Sequence, residues 1–109
     1  MAPNEVVYET LCSSGIPGAE WAFPLGKAPA PPFFVYMHER GGDLFAEDDN
    51  YAQMHRYRAE LYMSEPDNAV RREFEAAISQ LSPFTSNESW IPSESCLMVA
   101  YSFTYHPNR

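Results

Sequence analysis

Positive charge is scarce in this chain: seven Lys and Arg stand against fifteen Asp and Glu, for a formal net charge of −8. Binding nucleic acid by neutralising phosphates requires clustered Lys and Arg, so that class of partner is disfavoured. Docking on anionic lipid is disfavoured for the same reason. Cysteine is equally sparse. Cys12 and Cys96 lie far apart with no repeated spacing, so two reduced thiols in a cytoplasmic setting are expected rather than a disulfide framework. No apolar run approaches the roughly 20 residues that cross a bilayer. The opening Met1-Ala2-Pro3-Asn4-Glu5 has neither a basic region nor an apolar signal core, so no export is expected. Without a secretory route the sequon Asn87-Glu88-Ser89 carries no meaning.

The motifs of common chemistries are missing too. There is no Gly-x-Ser-x-Gly elbow, no phosphate-binding glycine loop after a strand and no dinucleotide fingerprint. Neither cysteine has a histidine nearby in sequence to act as its base, which argues against a thiol nucleophile.

What the chain does hold is apolar material. Over 109 residues, 45% are hydrophobic and 15% aromatic, enough for the core of a single domain spanning 1–109 despite ten prolines. A short helix is expected over residues 4–14, with Asn4 as its cap, Val7 and Leu11 on one face, and Gly15 and Pro17 ending it. Trp21-Ala22-Phe23 fits a short strand. The proline-rich stretch 27–32 fits a stiff, extended connector.

Phe33 to Glu39 is aromatic and branched, as strands are. Arg40-Gly41-Gly42-Asp43 breaks the chain, Leu44-Phe45-Ala46 can resume the sheet, and Glu47-Asp48-Asp49-Asn50 bends it again, giving a protruding hairpin at about 40–51. In the stretch Tyr51 to Met63, Tyr57, Ala59, Leu61 and Met63 alternate with Arg58, Glu60 and Tyr62, the period of a half-buried strand. Ser64-Glu65-Pro66-Asp67 then opens a second helix, with Ser64 as the expected cap and Pro66 in the first turn. Val70, Phe74, Ile78 and Leu81 share one face of it, and Pro83 is its stop. Burying those four side chains is worth roughly 6–12 kcal/mol before conformational entropy is subtracted.

Phe84 to Ile91 is the next expected strand, Pro92-Ser93-Glu94 a turn, and Cys96 to Tyr105 the last strand. Both faces of that last strand are fairly apolar, as in a central strand or one covered by a neighbouring subunit. The order implies an α+β fold: a mixed, mainly antiparallel sheet with two helices packed on it.

Three groups of residues invite a chemical reading. His38, His55 and His106 lie on or beside expected strands and would form a zinc site if they met, although isolated strand histidines are more often ordinary polar residues. Asp43, Glu47, Asp48, Asp49 and Asn50 offer oxygen ligands for a divalent cation, but their spacing is not that of an EF-hand loop and a solvated bend is the plainer reading. Tyrosine and tryptophan are plentiful and would suit stacking on single-stranded nucleic acid, but the basic groove which that needs is lacking. Aromatic surplus on strand faces suits protein interfaces instead.

Several stretches taken in order resemble a known family. They are Pro31-Pro32-Phe33-Phe34-Val35-Tyr36, Leu44 to Tyr51, Tyr57-Arg58-Ala59-Glu60-Leu61-Tyr62, Trp90-Ile91-Pro92-Ser93-Glu94 and Val99-Ala100-Tyr101-Ser102-Phe103. With the capped helix between them, they are similar to the small tail-completion, or tail-terminator, proteins of long-tailed (siphophage-type) phages and prophages. The resemblance implies a structural subunit and no enzyme, cofactor or metal. Copies would form a ring, usually of six, at the head-proximal end of the tail tube. The ring would stop tube growth and join the head connector. The implied partners are further copies of the chain, the tail tube protein and a head-completion or connector protein. The implied location is the neck end of the virion tail, with assembly in the host cytoplasm.

A ring needs two different adhesive surfaces on each subunit. The 40–51 hairpin is the expected contributor, through Arg40, Asp43, Phe45, Glu47, Asp48, Asp49 and Tyr51, because charged loops between strands are free to serve partners. Alternatives are a head-completion or neck-connector protein, a monomeric binding module, and a small metal-binding protein or enzyme built on the three histidines.

Overall fold

Residues 2–39 and 55–106 are described in the computed structural model. Their elements run α1 (Pro3–Cys12), β1 (Gly18–Glu20), β2 (Phe33–Glu39), β3 (His55–Met63), α2 (Asn68–Ser79), β4 (Phe84–Ile91), a single 3-10 turn (Pro92–Glu94) and β5 (Cys96–Tyr105). The five strands form one sheet in the order β1-β2-β3-β5-β4. Only β1 and β2 run parallel; the other neighbours are antiparallel. The fold is α+β, with a mixed and mostly antiparallel sheet.

Alternation decides which face is core. Tyr57, Ala59, Leu61 and Met63 are buried on β3, as the period-two pattern requires, and Val99, Tyr101 and Phe103 meet them from β5. Phe34 and Tyr36 of β2 continue the layer. Both helices close over this face, α1 with Val7 and Leu11 and α2 with Phe74 and Ile78. Val70 and Leu81 are only partly buried at the ends of the α2 stripe.

Four local expectations need correction. Asn4 does not cap α1. The helix starts one residue earlier, at Pro3, where a missing N–H costs nothing, and the Glu5 carboxylate accepts the Ala2 N–H at 3.2 Å. The first strand is Gly18–Glu20 rather than Trp21–Phe23. Gly18 lies against the ring of Phe34, where a Cβ would come within 2.1 Å of Cζ, so only glycine lets the backbone pair there. Trp21 still donates its N–H to the Tyr36 carbonyl at 2.8 Å, but its φ of 66° turns the chain off the sheet.

Ser64 does not cap α2 either. Asp67 does, its Oδ1 accepting from the N–H groups of Ala69 (3.1 Å) and Val70 (3.2 Å), which leaves Pro66 outside the helix. The helix also ends at Ser79, short of Pro83, and closes in a turn where the Leu81 (2.8 Å) and Ser82 (3.2 Å) N–H groups both donate to the Ile78 carbonyl. The connector 27–32 has no regular structure, as its prolines suggest, and contains a cis Pro31–Pro32 bond.

Candidate functional site

Among the described residues, strand register divides the sheet into a helix-covered face and a helix-free one. Phe33, Val35 and Met37 of β2, Arg58, Glu60 and Tyr62 of β3, and Met98 and Ala100 of β5 share the helix-free side. Phe33 stacks on its cross-strand partner Tyr62 with ring centroids 5.1 Å apart. Phe23, from the segment after β1, meets Phe33 edge-on at 5.4 Å. Beside this aromatic row, Glu60 holds Arg58 at 2.9 Å with one carboxylate oxygen and accepts from the Tyr62 hydroxyl at 2.8 Å with the other. Burial and then the Glu60 hydrogen bond push the Tyr62 phenol well above its ordinary value. Phe33, Met37, Tyr62 and Met98 are half-buried here, although neither helix packs on this side.

The sheet edge at β4 is the second unusual surface. All eight residues pair with β5 without a bulge, yet the six from Thr85 to Trp90 are exposed, on both faces. Trp90 is 53% exposed. Phe84 packs edge-on against Tyr101 at 5.4 Å. Arg71 of α2 lies between Glu75 (3.0 Å) and Glu88 (3.3 Å), tying the helix to the edge strand, and the Tyr101 hydroxyl donates to Glu75 at 2.9 Å. Strands usually guard an open edge with a lysine, a proline or a bulge. β4 has none of these between Phe84 and Ile91, and its only charge is already paired with Arg71.

The other candidate groups are less complete. The fold brings His38 and His55 together, with Nε2 and Nδ1 3.4 Å apart, while His106 follows Tyr105, the partner of His55 in register. No cluster of three His, Cys, Asp or Glu with metal-binding geometry occurs among the described residues. Burial and the neighbouring Glu94 push the Cys96 thiol up, away from the thiolate a nucleophile needs. A cleft of about 490 Å³ lies at one end of the strands, bounded by Glu39, Arg56, Thr85, Ser102 and Thr104. It offers one carboxylate, one guanidinium and hydroxyls, which can hold a small polar group.

Arg40, Asp43, Phe45, Glu47, Asp48, Asp49 and Tyr51, the expected interface residues, lie outside the described residues, as do the rest of the 40–51 hairpin and the acidic bend. Sequence reasoning passed over the β4 edge. The signal was there: Phe84-Thr85-Ser86-Asn87-Glu88-Ser89-Trp90-Ile91 is polar on both faces through its middle, as only a strand open on both sides can be.

No helix among the described residues is long and apolar enough to cross a membrane. No family model matches the chain, and neither a curated protein nor a solved structure does.

Proposed function

We propose that this chain is a structural subunit of the tail-terminator kind, working by contact with other proteins in a phage tail. The observation that carries the reading is the face of the sheet that neither helix of the described residues covers. A sheet covered by helices on one side, with Phe33, Met37, Tyr62 and Met98 gathered half-buried on the other, suits a subunit that completes its packing in an assembly. Supporting it, the resembling stretches that fall among the described residues lie on adjoining parts of that sheet: β2, β3, β5 and the end of β4 with its following turn. The reading assigns the chain a ring on the head-proximal end of the tail tube. It contacts further copies of itself, the tube protein and the head connector.

Electron microscopy of particles assembled without this gene product tests the proposal. Overlong tails lacking heads are the expected result, because tube growth has lost its stop. Tails of normal length beside unattached heads would move the protein to the neck connector, and intact particles would sink both readings.

A further inference from the structure

The β4 edge has eight residues in an unbroken ladder on one side and, among the described residues, open backbone on the other. Its side chains point to what belongs there. Suppose a second β4 lies antiparallel beside the first, related by a two-fold axis perpendicular to the sheet. The helices of both copies then stay on one face, and each residue meets a residue of its own face. Only a few registers satisfy that condition with useful overlap. A pairing centred on Glu88 sets two carboxylates directly opposite each other. One centred on Ser86 sets Phe84 against Glu88. One centred on Ser89 sets Glu88 against Trp90.

Centring on Asn87 removes every conflict. Phe84 then faces Trp90 of the second copy, Thr85 faces Ser89, Ser86 faces Glu88, and the Asn87 amides meet on the axis, where each both donates and accepts. Each off-axis pair occurs twice by symmetry. The incoming Glu88 also arrives beside a groove between α2 and β4 that is lined by Asn68, Arg71, Arg72, Glu75, Phe84 and Ser86, in which Glu75 is already held by Arg71. Arg72 has no ion-pair partner among the described residues, so the arriving carboxylate finds a free cation. Across the two strands, aromatic meets aromatic, hydroxyl meets hydroxyl, and no charge stands directly opposite its like.

We infer that β4 docks against β4 of a second copy of this chain, antiparallel and centred on Asn87, joining two five-stranded sheets into one of ten. The pairing is a property of the free protein and does not rest on the tail reading. It closes on itself, whereas a ring contact must join two different surfaces.

Site-specific cross-linking of the full-length protein tests it. Asn87→Cys places two thiols across the axis at the separation of opposed antiparallel residues, within reach of a disulfide. Mild oxidation is expected to give a covalent dimer whose mass-mapped bridge joins position 87 to position 87, while Glu88→Cys gives little. A dominant bridge in Glu88→Cys instead would overturn the register. Sedimentation equilibrium supplies the second arm. The unaltered protein is expected to dimerise, and Asn87→Glu and Asn87→Lys are both expected to weaken the dimer about 2- to 5-fold, since each sets like charges across the axis. Position 87 is exposed, so neither substitution should disturb the monomer fold. A protein that stays monomeric up to its solubility limit, or a dimer indifferent to both charges, would overturn the inference and leave the tail reading as it stands.

Discussion

The Tyr57 hydroxyl donates to the side-chain oxygen of Asn4, joining the middle of β3 to the first turn of α1 across 53 positions of sequence. Asn4 uses the rest of its amide on Glu20 of β1, with Nδ2 at 2.8 Å. One side chain therefore ties the first helix to two strands. Tyr57 is fully buried, so its hydroxyl has no water to fall back on if that acceptor is lost.

Asn4→Leu should destabilise the protein by about 1–3 kcal/mol, the cost of leaving a buried hydroxyl unpaired. Tyr57→Phe should cost only about 1 kcal/mol, because Asn4 keeps its other partner. Urea unfolding of the two single variants and the double variant measures this. The double variant should lose less than the sum of the two.

Gly18→Ala places a methyl group inside the Phe34 ring, an overlap that must displace a fully buried aromatic or unpair β1. A loss of about 1–3 kcal/mol is expected. Thermal unfolding of Gly18→Ala and of Gly18→Ala with Phe34→Leu separates the causes. Steric conflict predicts that the second change costs less in the Gly18→Ala background than alone.

At the start of α2, Asp67→Ala should cost about 1 kcal/mol, with a range of roughly 0.5–2, whereas Ser64→Ala should cost almost nothing. Denaturant midpoints of the two variants check which residue caps the helix.

Alkali should unfold the protein in a defined window. Burial is the main cause that pushes both Tyr36 and Tyr57 up to about 12, with Glu20 adding to each. Tyr101 is raised in the same direction, by burial and then its hydrogen bond to Glu75. A phenol whose value is higher folded than unfolded stabilises fully below its unfolded value, near 10, and that contribution disappears as pH rises toward 12. Stability measured by denaturant titration should therefore be level with respect to these groups from pH 7 to 9 and fall between pH 10 and 12. Each of Tyr36 and Tyr57 withdraws up to about 3 kcal/mol. Tyr57→Phe should make the decline shallower.

Where a run of apolar and aromatic residues lies between clear breaks, the sequence was a reliable guide. β5 and β2 have the bounds expected of them, and the alternating part of β3 buries the residues its pattern picked out. Features set by distant residues were not legible. Nothing local marks Gly18 as a strand residue, because its reason is the ring of Phe34, which comes sixteen positions later. Ser64 and Asp67 are both good caps by type, and only the point where α2 begins chooses between them. His38 and His55 meet through the β2–β3 register, which sequence spacing does not encode. Asn4 was the right kind of residue at a helix start, yet tertiary partners outbid the local one.

The two borders of the sheet are unequal, and that sets a limit on growth. At the far side from β4 stands β1, three residues long, parallel to its neighbour, bound to α1 through Glu20 and abandoned by the chain at Trp21. A protein with two long borders could add copies without end and become a fibre. Among the described residues this one has a single long border, so strand-by-strand addition stops once that border is filled.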